Sequence, residues 1–140
     1  MPNHAIFMPA VAMAALTFIV LAVMFRRRVA QMKRERIHPQ KVSTSQQAAV
    51  LFTDCAPADN FRNLFEMPVL FYLALVVAAL TGQVTIPVLT LAWAYVAARA
   101  LHSAIHCTYN KVIHRFRAYA LSVFVLLALW CLLGYGLIAG

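Results

Sequence analysis

Charge is what this chain has least of. Its 140 residues include 12 Lys and Arg and only 4 Asp and Glu, and 11% of positions are charged, against about 25% in a soluble domain. Together with 64% hydrophobic residues, that scarcity excludes an ordinary water-soluble fold and identifies an integral membrane protein. Strand-like alternation and internal repeats are absent too, which leaves helices, whose backbone satisfies itself in lipid. The 3 cysteines, Cys55, Cys107 and Cys131, have no paired spacing, so the sequence carries neither a disulfide framework nor a zinc site. The net charge of +8 would suit a nucleic-acid partner, but the apolar segments exclude that as the main role.

What is present is four long apolar segments in one domain: about Ile6 to Phe25, Phe61 to Leu80, Val84 to Cys107 and Ala118 to Ile138. Each is long enough to cross a bilayer as a helix, which takes about 20 residues. The basic residues sit between spans one and two (Arg26, Arg27, Arg28, Lys33, Arg34, Arg36, Lys41) and between spans three and four (Lys111, Arg115, Arg117). The N-terminus, the Thr81–Thr85 turn and the C-terminal end have none. The positive-inside rule then places both basic loops in the cytoplasm and both termini outside. Because the Arg triplet follows the first apolar run instead of preceding it, that run is expected to be an uncleaved anchor and not a signal peptide. Within the basic loop, 26–60, Arg26–Arg36 extends the first helix, His38-Pro39 ends it, and Ser43–Gln47 is expected to be loop. Thr53 or Asp54 is expected to cap the second helix, with Pro57 in its first turn.

Polar groups then occur where lipid should be. Only 14 residues, Met67–Leu80, separate Glu66 from the Thr81-Gly82-Gln83 break, so a full span draws Arg62, Asn63 and Glu66 into the bilayer or its edge. A charge near a helix centre costs about 2.5–3.5 kcal/mol there. Asp59, Arg62, Asn63 and Glu66 fall at i, i+3, i+4 and i+7, one polar stripe. Arg62 and Glu66 are spaced to pair, and Pro68 is expected to bend the helix beside them. A second stripe, Arg99, His102 and His106, lies in the same half of span three, and Lys111, His114, Arg115, Arg117 and Tyr119 gather at the entrance to span four. Self-neutralising packing, snorkelling of Arg99 and topology alone each explain part of this pattern. The two histidines lack the further ligands a zinc ion needs, so no metal is expected. The convergence of all three groups suits a small anionic ligand that also carries an amine.

The chain resembles the MAPEG family, the membrane-associated proteins in eicosanoid and glutathione metabolism. The likeness covers nearly its whole length. It rests on four spans, a basic first loop, Arg62-Asn63-x-x-Glu66 followed by Pro68, and Arg99-x-x-His102. It implies an all-α homotrimer of four-helix subunits, multi-pass in a bacterial inner membrane, with lipid neighbours. Glutathione is the implied co-substrate, bound between subunits on the cytoplasmic side. Arg62, Asn63, Glu66, Arg99, His102 and Tyr119 match ligand-contacting positions, His106 stands where a ligand-contacting tyrosine is usual, and Arg26 is a looser match for which Arg28 can substitute. Arg115 matches the arginine that stabilises the glutathione thiolate, and so is the implied catalytic residue. In the prostaglandin E synthase branch an arginine, a tyrosine and a serine are usual at Asp59, His106 and Phe116. The missing serine weakens the expectation of isomerase chemistry.

The implied function is therefore a glutathione transferase or peroxidase acting on small hydrophobic electrophiles. A non-catalytic protein holding a lipid head group or anionic metabolite in the same cavity is the alternative. A transporter has less support, because no inverted repeat is present.

Overall fold

The computed structural model describes residues 3–139. Regular structure among them is entirely helical. A 3-10 turn at Asn3–Phe7 leads into α1 (Met8–Glu35), followed by α2 (Ser45–Leu51), α3 (Ala56–Asn63), α4 (Met67–Leu80), α5 (Ile86–Cys107) and α6 (Val112–Ala139). Four helical stretches are long and apolar enough to cross a membrane: His4–Glu35, Ala56–Leu80, Ile86–Cys107 and Val112–Ala139. The chain is a multi-pass integral membrane protein.

Proline marks where helices begin. Pro9, Pro57, Pro68 and Pro87 each occupy the second position of α1, α3, α4 and α5, where a missing N–H costs nothing because the first-turn donors have no helical partner. This corrects the reading of Pro68 as a bend. The second span is interrupted outright, with Leu64–Glu66 outside both helices, because the proline ring collides with the carbonyl of residue 64 and supplies no hydrogen bond to it. Arg62 and Glu66 no longer lie one helical turn apart. The ion pairs among the described residues are Arg27–Asp54 and Arg34–Glu35, so the expected Arg62–Glu66 pair does not form.

The basic loop differs from expectation in three places. α1 stops at Glu35, ahead of His38-Pro39, because Arg36 turns into the left-handed region (φ 52°) and its N–H caps the Met32 carbonyl. Residues 45–51 form a short helix, not a loop. Thr44 Oγ1 accepts from Gln47 N at 3.2 Å while Gln47 Oε1 accepts from Thr44 N at 3.3 Å, a reciprocal capping box. Neither Thr53 nor Asp54 caps α3, whose N-cap is Cys55 with no side-chain bond; the Asp54 carboxylate takes the Arg27 guanidinium at 2.9 Å.

Met13 and Val20 of α1, Phe71, Leu75 and Ala78 of α4, Val88, Ala92 and Tyr95 of α5, and Leu126, Leu129 and Leu133 of α6 form the apolar core. Phe71 stacks on Tyr95 with centroids 4.4 Å apart. At the far end from the basic loop, Gly82 takes φ 69° and turns the chain, which lets the Gln83 carboxamide lie against Gly136 where a Cβ would collide with it. Toward the basic loop the core changes character: Asn60, Arg99, His102, Ser103 and His106 are all buried.

Candidate functional site

The site grows out of the interrupted helix. α4 has 14 residues, about 21 Å at 1.5 Å per residue, against about 30 Å of hydrocarbon. The break at Leu64–Glu66 therefore lies at membrane depth. Non-helical backbone is tolerated there only where protein or a water-filled cavity receives its polar groups. Arg99, 0% exposed, supplies one such partner: its Nη2 donates to the Asn63 carbonyl at 3.0 Å. A cation at a helix C-terminus also complements the helix dipole. The same guanidinium lies 5.7 Å from the centroid of the Tyr119 ring, while Nε and Nη1 have no hydrogen-bond partner among the described residues.

Arg115 ties α5 to the start of α6. Its Nη1 donates to Asn110 Oδ1 at 2.7 Å and to His106 Nε2 at 3.2 Å. Asn110 turns the chain between the helices at φ 47°, a conformation asparagine accepts more readily than most residues. A guanidinium only donates, so His106 Nε2 is an acceptor and the ring proton sits on Nδ1, which is buried and has no partner among the described residues. His102 is held by backbone: its Nδ1 lies 3.1 Å from the Arg115 carbonyl. A carbonyl only accepts, so Nδ1 carries the proton and Nε2, buried without a partner among the described residues, is left as an acceptor in the neutral ring.

Two adjoining cavities open beside these groups. One, of about 320 Å³, is lined by Asp59, Arg62, Asn63, Glu66, His106 and Arg115. The other, of about 200 Å³, is lined by Asn63, His102, Val112, Arg115, Phe116 and Tyr119. The first is lined entirely by polar and charged side chains; the second adds Val112 and the Phe116 and Tyr119 rings. Asn63 and Arg115 line both. Neutral acceptors, not a carboxylate, hold the Arg115 side chain, so its positive charge remains available at the boundary between polar and apolar space.

The structure thus gathers Arg62, Asn63, Glu66, His102, His106, Arg115 and Tyr119 around one compound cleft, with Arg99 buried against Asn63 and Tyr119. Arg26 is not brought there. It is exposed and lines a separate depression with Val23, Arg27 and Ala30. Arg28, its guanidinium 5.3 Å from the Phe52 ring centroid, instead lines a small neighbouring cavity together with Asp59 and Arg62, two residues of the cleft.

Other polar residues matter that the sequence reading passed over. Asn60, fully buried, accepts from Ser103 Oγ at 3.2 Å and donates to Cys107 Sγ at 3.4 Å, joining α3 to α5 beneath the cleft. Gln31 donates to Glu35 and to the Leu51 carbonyl and accepts from Thr53 N, tying α1 to the basic loop. The available signal was polarity on apolar helices: Ser103 adjoins His102, and Asn60 is one turn before Asn63.

Comparison with known proteins bears on what such a cleft belongs to. No curated protein and no solved structure matches the chain. A family model described as the MAPEG family matches residues 6–135, a stretch that contains every residue of the cleft. The chain belongs to the MAPEG family.

Proposed function

We propose that this protein is a glutathione-dependent transferase or peroxidase acting on hydrophobic electrophiles. The observation that carries the reading is the place of Arg115, an arginine with no carboxylate partner among the described residues, at the junction of a polar and a more apolar cavity. The polar cavity's size falls at the low end of the range of about 300–1,000 Å³ usual for ligand sites, and its mixture of two guanidiniums and two carboxylates suits a tripeptide carrying both signs of charge.

In this reading Arg62 holds a glutathione carboxylate through its forked donors, and Glu66 takes the ligand ammonium. Asn63 and His102 Nε2 complete the hydrogen bonding. Arg99, which lines neither cavity, acts on the ligand through Asn63, whose backbone it fixes. Arg115 faces the sulfur. Thiolate is the reactive form and a free thiol titrates near about 8.5, so a fixed positive charge raises the reactive fraction at neutral pH. In transfer, the thiolate forms the new C–S bond and the leaving group departs with its electron pair. In peroxide reduction, the thiolate attacks the O–O bond, which breaks to release the alcohol and leave a sulfenic acid, and a second glutathione displaces its oxygen as water to form the disulfide. Val112, Phe116 and Tyr119 offer the electrophile an apolar wall at the lipid edge.

The active assembly is a homotrimer with the cleft facing the cytoplasm and both termini outside, in a bacterial inner membrane. Arg62 and Glu66 are exposed in the single chain, consistent with a site completed by a neighbouring subunit. Arg26, away from the cleft of its own chain, would then be contributed by that neighbour. Asp59 and Phe116 favour a second reading, in which the same cavity holds a lipid head group or anionic metabolite without turnover. Reconstituted protein given glutathione and either chlorodinitrobenzene or a fatty-acid hydroperoxide separates the two. Glutathione-dependent consumption of either electrophile supports the enzyme; binding of anions with no consumption of a panel of such electrophiles supports the second reading.

A further inference from the structure

A groove of about 290 Å³ lies on the α5–α6 hairpin and shares no residue with the cleft. Leu101, Ile105 and Leu121 form its apolar wall, and Tyr109, His114 and Arg117 its rim. The Tyr109 hydroxyl and His114 Nδ1 are 3.1 Å apart, their rings edge to face. Arg117 is exposed and makes no ion pair among the described residues. We propose that this groove binds an anionic phospholipid, its phosphate against Arg117 and the His114–Tyr109 pair and an acyl chain along Leu101, Ile105 and Leu121.

Depth supports the assignment. α6 has 28 residues, about 42 Å of helix, while the hydrocarbon is about 30 Å thick. The surplus puts the first turns of α6 in the head-group layer. Arg117, five residues past Val112, sits near its inner boundary, and Leu121, about 6 Å further along the helix, faces acyl chains. Tyr109 is the kind of aromatic residue enriched at that boundary.

Charge selects the occupant. All 4 acidic residues, Glu35, Asp54, Asp59 and Glu66, precede α5, so no carboxylate of the hairpin offsets Arg117. A second copy of this chain is a poor match, because Glu35 and Asp54 are already engaged by Arg34 and Arg27 and Asp59 and Glu66 line the cleft. A free phosphate would leave Leu101 and Leu121, each 52% exposed, uncovered. Basic side chains near helix ends on a membrane surface are the established setting for anionic head-group binding.

Native mass spectrometry of the full-length protein, delipidated and then given phosphatidylglycerol or phosphatidylcholine of equal chain length, tests the proposal. Each basic side chain at an anionic surface contributes about 1 kcal/mol. The expected result is therefore phosphatidylglycerol retention about fivefold above phosphatidylcholine, lost in Arg117→Gln and kept in Arg117→Lys. Arg34→Gln, on the exposed end of α1, is expected to retain the preference, and Leu121→Asn to weaken retention of both lipids. Equal retention of the two lipids, an unaltered preference in Arg117→Gln, or an equal loss in Arg34→Gln would overturn the proposal. Displacement by glycerol phosphate at the same concentration as lipid would overturn it as well.

Discussion

Replacing Arg115 with Gln tests the proposed chemistry without dismantling the fold. His102 is held by the backbone carbonyl of residue 115, which the substitution keeps, and a glutamine amide can still reach toward Asn110. What is lost is one positive charge. At about 5 Å and an effective dielectric of about 40 for a half-buried cleft, a guanidinium favours a thiolate by about 1.7 kcal/mol. At about 1.36 kcal/mol per unit, that lowers the thiol's titration by a little over 1 pH unit, from about 8.5 to about 7.3. The thiolate fraction at pH 7 then rises from about one-thirtieth to about one-third. Arg115→Gln is therefore expected to reduce kcat/KM roughly tenfold at pH 7, with the gap closing above about pH 9, where the thiol ionises unaided. Arg115→Lys should recover most of the loss. Stopped-flow absorbance of the bound thiolate across pH measures the shift directly. The same titration curve in wild type and Arg115→Gln, or a rate loss independent of pH, would refute this role for Arg115.

Three further outcomes follow from the geometry. Arg99→Met removes the guanidinium that donates to the Asn63 carbonyl and is expected to cost about 1–3 kcal/mol of stability, read from the unfolding midpoint in detergent; an unchanged midpoint contradicts the assignment of Arg99 to the helix break. Ser103→Ala deletes the bond to Asn60 and should cost about 0.6 kcal/mol, and no more than about 1.7, while the thiolate titration stays where it was. Asp54→Asn breaks the exposed pair with Arg27, for which less than about 1 kcal/mol is expected, diminishing as salt is added. A larger, salt-independent loss would mean that this contact organises the basic loop.

The four spans were legible because hydrophobic length and the distribution of basic residues are physical constraints that each segment states by itself. Most cleft residues were legible for a related reason: a charge or an amide inside an apolar run has to be accommodated, and Arg62, Asn63, Glu66 and Arg99 announced themselves by cost. The interruption at Leu64–Glu66 is not legible in the sequence, because Pro68 permits either a bend or a break. What decides between them is whether another helix can receive the freed carbonyl, and Arg99 lies 36 residues further along the chain. The Asn60–Ser103 bond was missed on the same grounds, since small polar residues carry little cost alone and reveal their partners only once α3 and α5 are packed. The short α2 was recoverable: Thr44-x-x-Gln47 is a capping signature that its polar composition concealed.

The central claim is that the cleft holds glutathione through Arg62 and Glu66. Calorimetric titration of detergent-purified protein with glutathione tests it most directly. The expected result is saturable binding by the wild type, weakened about tenfold or more by Glu66→Gln and by Arg62→Gln, in line with loss of a charge-assisted contact worth about 1.5–3 kcal/mol. Absence of saturable heat with the wild type, or wild-type affinity in both variants, would contradict it.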